Sequence, residues 1–364
     1  VRINIFTLVS FLIPFESALG ETRVSATPET VKKFLDLGCK VFFEKGAGEA
    51  AGFLDNSYLD VGAELVDKEN NEVKKIVDIV LCVQPPDEKF LSHLKSGSCL
   101  VGLLDPYGNK LLAETLKSQK ISAISLELLP RISRAQSSDA LSSQANIAGY
   151  KSVLLAASAL DRYFPMLMTA AGTIQPSKVV VLGAGVAGLQ AIATAKRLGA
   201  VVYVSDIREA VKEQVESLGA RFIDLPKIEE SPSESGGYAK QVSNEFLIAQ
   251  RKELAKQLAE ADVAICTAQV PGKKAPKLID ETMLDNMRSG SVVIDLAVLS
   301  GGNCACSQAG ETIVRNGVKI VGASNLPCSI PNHASSLYSR NLLSLLQPMF
   351  KEGKFLIDND DELI

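Results

Sequence analysis

Lys178-Val-Val-Val-Leu-Gly183-Ala-Gly185-Val-Ala-Gly188-Leu-Gln-Ala-Ile-Ala-Thr-Ala-Lys-Arg-Leu-Gly199-Ala-Val-Val-Tyr-Val-Ser-Asp206 is the stretch that decides how this chain folds. A run of four apolar residues leads into three glycines spaced G-x-G-x-x-G. An apolar helix pattern follows and stops at Gly199, and a second apolar strand runs into an acid. A glycine triplet alone is weak evidence; strand, triplet, helix, strand and acid in this order are the full dinucleotide-binding fingerprint. Gly183 permits the tight strand-to-helix turn, Gly185 lets a pyrophosphate approach bare backbone, and Gly188 lets helix and strand pack closely. The helix start offers unpaired N–H groups and partial positive charge. The candidate contacts are therefore Gly183, Gly185, Val186, Ala187 and Gly188, followed by Asp206, Ile207 and Arg208 after the second strand. Asp206 can accept hydrogen bonds from both ribose hydroxyls and repels a 2′-phosphate, which favours NAD(H) over NADP(H); Arg208 softens that preference.

Outward from this unit, apolar strand runs alternate with helix patterns, which argues for parallel α/β architecture. Gln269 follows the apolar run 263–267, and Asp295 follows 292–294. Both fall where ligands meet the C-terminal ends of parallel strands, so both are candidate cofactor contacts, although each turn also has a purely structural reading. Earlier in the chain a helix is expected at 28–37, stopped by Gly38, with strands at 40–43, 79–83, 99–104 and 121–126. The glycine-rich segment 46–52 has the wrong spacing and no acid closing a following strand, and reads as a decoy. Residues 139–164 read as one long helix capped by Asp139, leading from a first domain into a second. A tail helix at 334–347, ended by Pro348, can fold back on the first domain. Segment 229–237 has loop composition.

The chain has 364 residues, too many for one ordinary domain. Its 46% hydrophobic and 22% charged residues fit a globular protein with a full core, and a formal net charge of −4 leaves no basic excess for nucleic acid. Histidine chemistry is confined to His93 and His333, and there is no Trp. The seven cysteines are scattered and point to a reducing compartment; Cys304-x-Cys306 lacks a second pair at zinc spacing, so no metal is expected. The chain starts at Val1 rather than Met, which reads as a fragment, and 3–13 is either a secretory-type apolar segment or a first strand ending at Ile13. No run reaches membrane-spanning length.

The segment Pro130-Arg-Ile-Ser-Arg-Ala-Gln-Ser-Ser-Asp-Ala-Leu-Ser-Ser-Gln-Ala-Asn-Ile-Ala-Gly-Tyr150 resembles the signature of the alanine dehydrogenase/transhydrogenase family. Gly-Glu-Thr-Arg-Val-Ser-Ala-Thr-Pro at 20–28, with Ile13-Pro14 and Glu16 upstream, is similar to the family's N-terminal signature. Met168–Thr173, 183–206, 236–240 and Pro271-Gly-Lys also match, so the resemblance covers about 12–350. It implies two Rossmann-like domains with parallel sheets separated by a nucleotide-binding cleft. One domain spans 1–141 completed by 331–364, and the NAD(H)-binding domain spans 142–330. It further implies a homodimer, in which NADH passes a hydride directly to NADP⁺ held on a partner domain, coupled to proton translocation by a membrane domain. Arg131, Gln136, Asp139 and Ser142 would hold the nicotinamide end, and Tyr238 would lie on a mobile loop closing over the nucleotide. The implied location is a soluble domain of a membrane-bound complex, at an organellar membrane such as the inner mitochondrial one or at the cytoplasmic face of a bacterial membrane.

The resemblance also separates two branches. Alanine dehydrogenase needs a Lys and a His for acid–base work. In this chain the Lys position falls at Gln84 within Cys82-Val-Gln-Pro-Pro86, the His position falls at Asp105, and an acid expected after Ala297-Val298 is Leu299. Direct hydride transfer between two nicotinamides needs no such set, only orientation and exclusion of water. Amino-acid oxidation and a non-catalytic NAD(H)-binding module are the alternatives. Arg23, the family's substrate-carboxylate residue, is retained.

Overall fold

The computed structural model describes residues 8–223, 244–270, 272–351, 354–358 and 360–363. They divide into two compact units: the residues up to Gln144 together with those from Pro327 onward, and Ala145–Leu326. The first boundary falls inside the helix Ala140–Ala159.

Unit 1 is built on six parallel strands: β1 (Ser10–Ile13), β2 (Lys40–Glu44), β3 (Glu64–Val66), β4 (Ile79–Leu81), β5 (Cys99–Gly102) and β6 (Ser122–Ser125), in the order β3-β2-β1-β4-β5-β6. The central strands are apolar on both faces because helices cover both. Phe11 and Ile13 point into one core, with Val31 and Phe34 of the helix Pro28–Asp36; Leu12 points into the other. The strand reading of the N-terminal stretch thus holds from Ser10 onward, while residues 1–7 lie outside the described residues. Thr27 and Thr30 form a capping box at the start of Pro28–Asp36, and Gly38 stops it with φ +81°. The tail helix runs Pro331–Leu346, three residues earlier than its apolar spacing indicates, because Pro331 is suited to the first helical turn. It buries Tyr338, Leu342, Leu345 and Leu346 in the same core as Phe11.

In unit 2, a two-stranded hairpin, β7 (Leu167–Thr169) and β8 (Gly172–Ile174), precedes the sheet strands β9 (Lys178–Leu182), β10 (Val201–Ser205), β11 (Arg221–Phe222), β12 (Val263–Cys266), β13 (Val292–Asp295), β14 (Thr312–Arg315) and β15 (Val318–Gly322). The sheet order is β11-β10-β9-β12-β13-β15-β14, parallel except for the edge pair β14–β15. Val179 and Val181 face one core, Val180 and Leu182 the other. The helix Ala140–Ala159 meets the helix Val186–Arg197 at Gly149, where a Cβ would stand 2.1 Å from the Ala187 carbonyl oxygen; only glycine allows that approach. Strand order reverses between β1 and β4 in unit 1 and between β9 and β12 in unit 2, the points where open α/β sheets bind ligands. Among the described residues, no helix is long and apolar enough to cross a membrane.

Candidate nucleotide-binding site

The reversal point of unit 2 carries the glycine turn. Gly183 takes φ +99°, closed to most residues, and its N–H donates to the Ser205 carbonyl at 2.8 Å. Gly188 packs so tightly that a Cβ would stand 1.9 Å from the Gly183 oxygen and 3.1 Å from Thr267 Oγ1. Gly185 is different: it is exposed, and a Cβ there meets nothing within 4 Å. The protein leaves that space open, while Gly185 caps Val186–Arg197 with no side-chain hydrogen bond to the first-turn N–H groups. Exposed Val186 and half-buried Ala187 continue the turn. A pyrophosphate fits this cradle of bare glycine and uncapped helix start.

Asp206, one residue beyond β10 and 8% exposed, closes the site. Its Oδ2 accepts from the Ala184 N–H at 2.7 Å and Arg208 Nη2 at 2.9 Å; its Oδ1 accepts from the Arg208 N–H at 2.8 Å and Arg208 Nε at 3.0 Å. The carboxylate is thereby held beside the glycine turn, with Arg208 gripping it bidentately. Ile207 is half-buried between them in sequence.

The turn after β12 forms the adjacent wall. Thr267 Oγ1 donates to the Leu182 and Gly183 carbonyls at 3.1 and 2.9 Å. Buried Asn303 clamps the next residue from both sides, accepting from the Ala268 N–H at 3.0 Å and donating to its carbonyl at 2.9 Å. Neither Thr267 nor Asn303 stood out in the sequence, because each acts by bonding backbone that the fold brings near. Gln269 is exposed, with its amide Nε2 bonded to the Leu296 carbonyl at 2.9 Å. Asp295 is fully buried: it accepts from the Ala297 N–H at 2.9 Å, the Cys304 N–H at 3.0 Å and Ser307 Oγ at 2.5 Å, and so organises the loop after β13.

The other group of predicted residues lies together in unit 1. A 3-10 turn, Ser133–Ser138, follows exposed Arg131 and carries exposed Gln136. Asp139 caps the long helix through the Ser142 N–H at 2.9 Å and Ser142 Oγ at 2.6 Å. Asn341 of the tail helix fastens this segment, donating to the Ser137 carbonyl at 2.8 Å and accepting from Ser143 Oγ at 2.7 Å. Tyr238, 229–237 and Pro271 lie outside the described residues.

At the reversal point of unit 1, Arg23 is 3% exposed and forks onto Glu21 at 2.7 and 2.6 Å, with Nη1 on Gln144 Oε1 at 2.9 Å. Burial alone would push the Glu21 carboxyl up, but the Arg23 hydrogen bonds and charge hold it at about 2. Glu16 accepts from the Val83 and Gln84 N–H groups at 2.6 and 3.0 Å; burial still pushes its carboxyl up to about 8. Gln84 Nε2 reaches Glu21 at 3.4 Å, and exposed Asp105, at φ +48°, accepts the Gly108 N–H at 3.1 Å. Half-buried His93 has Nδ1 2.7 Å from the Lys89 carbonyl, and His333 is exposed. Among the described residues no cluster of ligands fit for a metal occurs, and Cys304 is buried while Cys306 is half-buried.

Two family models match, alanine dehydrogenase/PNT N-terminal domain over residues 12–148 and alanine dehydrogenase/PNT C-terminal domain over 152–364. The chain is 47% identical over 354 residues to the first of the separate polypeptides that make up the NAD(P) transhydrogenase alpha subunit of Rhodospirillum rubrum, covering 95% of this chain and 91% of that protein. The solved structure of transhydrogenase from Sinorhizobium meliloti superimposes with TM-score 0.88 at 42% identity, covering 97% and 96% of the two chains. That of L-alanine dehydrogenase does so with TM-score 0.78 at 27% identity, covering 93% and 90%.

Proposed function

The chain belongs to the alanine dehydrogenase/PNT family, and from that membership we propose that it is the NAD(H)-binding component of a proton-translocating NAD(P) transhydrogenase. Bound NADH supplies the hydride, which passes directly to NADP⁺ on a partner domain, and a membrane domain couples the transfer to proton movement. The observation that carries the reading is the glycine turn with Gly185 facing open space beside a buried Asp206. The backbone of Gly183–Gly188 binds the pyrophosphate, Asp206 the adenosine ribose, and Ile207, Arg208 and Gln269 border the same nucleotide. Asp295 acts through the loop it organises. Arg131, Gln136, Asp139, Ser142 and Tyr238 are assigned to the nicotinamide end by family resemblance. The domains in this reading are 142–330 for NAD(H), and 1–141 with 331–364.

Amino-acid oxidation is disfavoured by its missing acid–base pair. Gln84 and Asp105 stand where a Lys and a His are needed, and both engage local polar groups. A homodimer is supported by the β7–β8 hairpin, whose Met168 and Ile174 are 76% and 45% exposed, since a lone two-stranded hairpin with apolar surface is marginal in water. The complex is membrane-bound in this reading.

The test mixes the purified chain with a transhydrogenase NADP(H)-binding domain, NADP(H), NADH and an oxidised NAD analogue. Reduction of the analogue at the expense of NADH supports hydride transfer. NADH binding without transfer reduces the chain to a binding module.

A further inference from the structure

Unit 1 repeats the ribose end of the unit 2 site. Both sheets share one order, β3-β2-β1-β4-β5 and β11-β10-β9-β12-β13. Ile13 pairs with Phe43 in the first and Leu182 with Ser205 in the second, so Glu44 and Asp206 occupy the same position, one residue past that pair. The N–H two residues beyond the first strand meets each carboxylate: Phe15 to Glu44 Oε2 at 2.9 Å, Ala184 to Asp206 Oδ2 at 2.7 Å. Both acids are buried, 3% and 8% exposed, and each has a cation beside it, Arg208 at Asp206 and Lys74 at Glu44, where Nζ lies 3.2 Å from Oε1.

Glu44 lines a cavity of about 280 Å³ at the sheet's reversal point, with Phe15, Phe90, Pro85 and Pro86 as apolar walls. Its Oε1 accepts no aligned hydrogen bond, and a carboxylate oxygen beside one ammonium keeps lone pairs for a hydroxyl. What unit 1 lacks is the phosphate end. Pro14-Phe15-Glu16 stands where unit 2 has Gly183-Ala184-Gly185, and among the described residues no helix begins before Pro28. The cavity lies at the small end of the range for ligand pockets, too small for a dinucleotide.

We propose that this cavity is a second site, for a ribonucleoside without pyrophosphate, in which Glu44 accepts hydrogen bonds from the two vicinal ribose hydroxyls and the Phe15–Phe90 walls flank the base. The site is independent of the unit 2 reading.

Saturation-transfer NMR on the full chain tests it, with adenosine as probe and NADH saturating unit 2. Adenosine keeps its signal, 2′,3′-dideoxyadenosine shows none, Glu44→Gln raises the adenosine dissociation constant at least tenfold, and Asp206→Asn leaves the NADH-resistant signal in place. Complete displacement of adenosine by NADH, equal signals from the dideoxy compound, or an unchanged constant in Glu44→Gln each overturn the proposal. If Glu44→Gln fails to melt cooperatively, the contrast between the two nucleosides on the wild-type chain decides. If NADH does not bind at all, the unit 2 reading fails, while the dependence of adenosine on its diol and on Glu44 still reads unit 1.

Discussion

A methyl group added at Gly185 and one added at Gly188, three residues apart on the same turn, are expected to act on different properties of the protein. At Gly185 the backbone has φ −77° and ψ −169°, open to any residue, and a Cβ has no neighbour within 4 Å. Gly185→Ala therefore folds as well as wild type, with a gain of about 0.4–1 kcal/mol from the stiffer unfolded chain. That methyl projects into the space left for the pyrophosphate. Losing two charge-assisted N–H contacts at roughly 1.5–3 kcal/mol each weakens NADH binding by at least about 100-fold. At Gly188 the Cβ would sit 1.9 Å from the Gly183 oxygen and 2.9 Å from its carbonyl carbon, backbone atoms that cannot rotate away. Overpacking costs about 1–3 kcal/mol or more. At roughly 2–4 °C per kcal/mol for a domain of about 150–250 residues, Gly188→Ala lowers the unit 2 melting temperature by about 2–12 °C. Scanning calorimetry on the apo chain and isothermal titration with NADH read the two effects separately. Wild-type NADH affinity in Gly185→Ala, or a wild-type melting temperature in Gly188→Ala, refutes the assignment of those glycines.

Asp206→Asn removes the charge that Arg208 grips; NADH affinity falls about tenfold or more and the preference over NADPH narrows, read by titrating both nucleotides. Asp295→Ala strands the buried N–H groups of Ala297 and Cys304, for a loss of roughly 2–5 kcal/mol in urea unfolding; a change under about 1 kcal/mol contradicts its role in the loop. Stability against pH carries two signs in unit 1. The Glu16 carboxyl, raised by burial from 4.5 to about 8, keeps a proton that the unfolded chain releases, so its contribution falls as pH rises through that window and levels off above it. Glu21, held near 2 by Arg23 against burial, contributes above 4.5 and loses that contribution as pH drops toward 2. Glu16→Gln should flatten the decline between about pH 5 and 8, measured by denaturant titration at each pH; an unaltered slope assigns the decline to other groups.

The parallel α/β character and the nucleotide turn were legible because their signals are local. Residues 178–206 hold strand, glycines, helix and acid in one run, and the structure places them as β9, the helix Val186–Arg197 and β10, with Asp206 next. Strands buried on both faces announce themselves as continuous apolar runs, as at Ile79–Leu81 and Val263–Cys266. Short, half-exposed elements do not. β3 and the β7–β8 hairpin have too little apolar pattern to separate from loop, and they exist because neighbouring backbone pairs with them. The role of Arg23 was opaque for a related reason: its partners include Gln144, 121 residues away.

Residue order alone therefore specified the phosphate turn and the ribose acid, since the chemistry of both is carried by neighbours in the chain and by the conformational freedom of glycine. Tertiary structure alone decided that Asn303 clamps Ala268, that Asp295 turns inward to a loop, and that Glu44 stands in the register position of Asp206. Those outcomes depend on which backbone groups need partners once distant strands have paired, and no local pattern encodes that need.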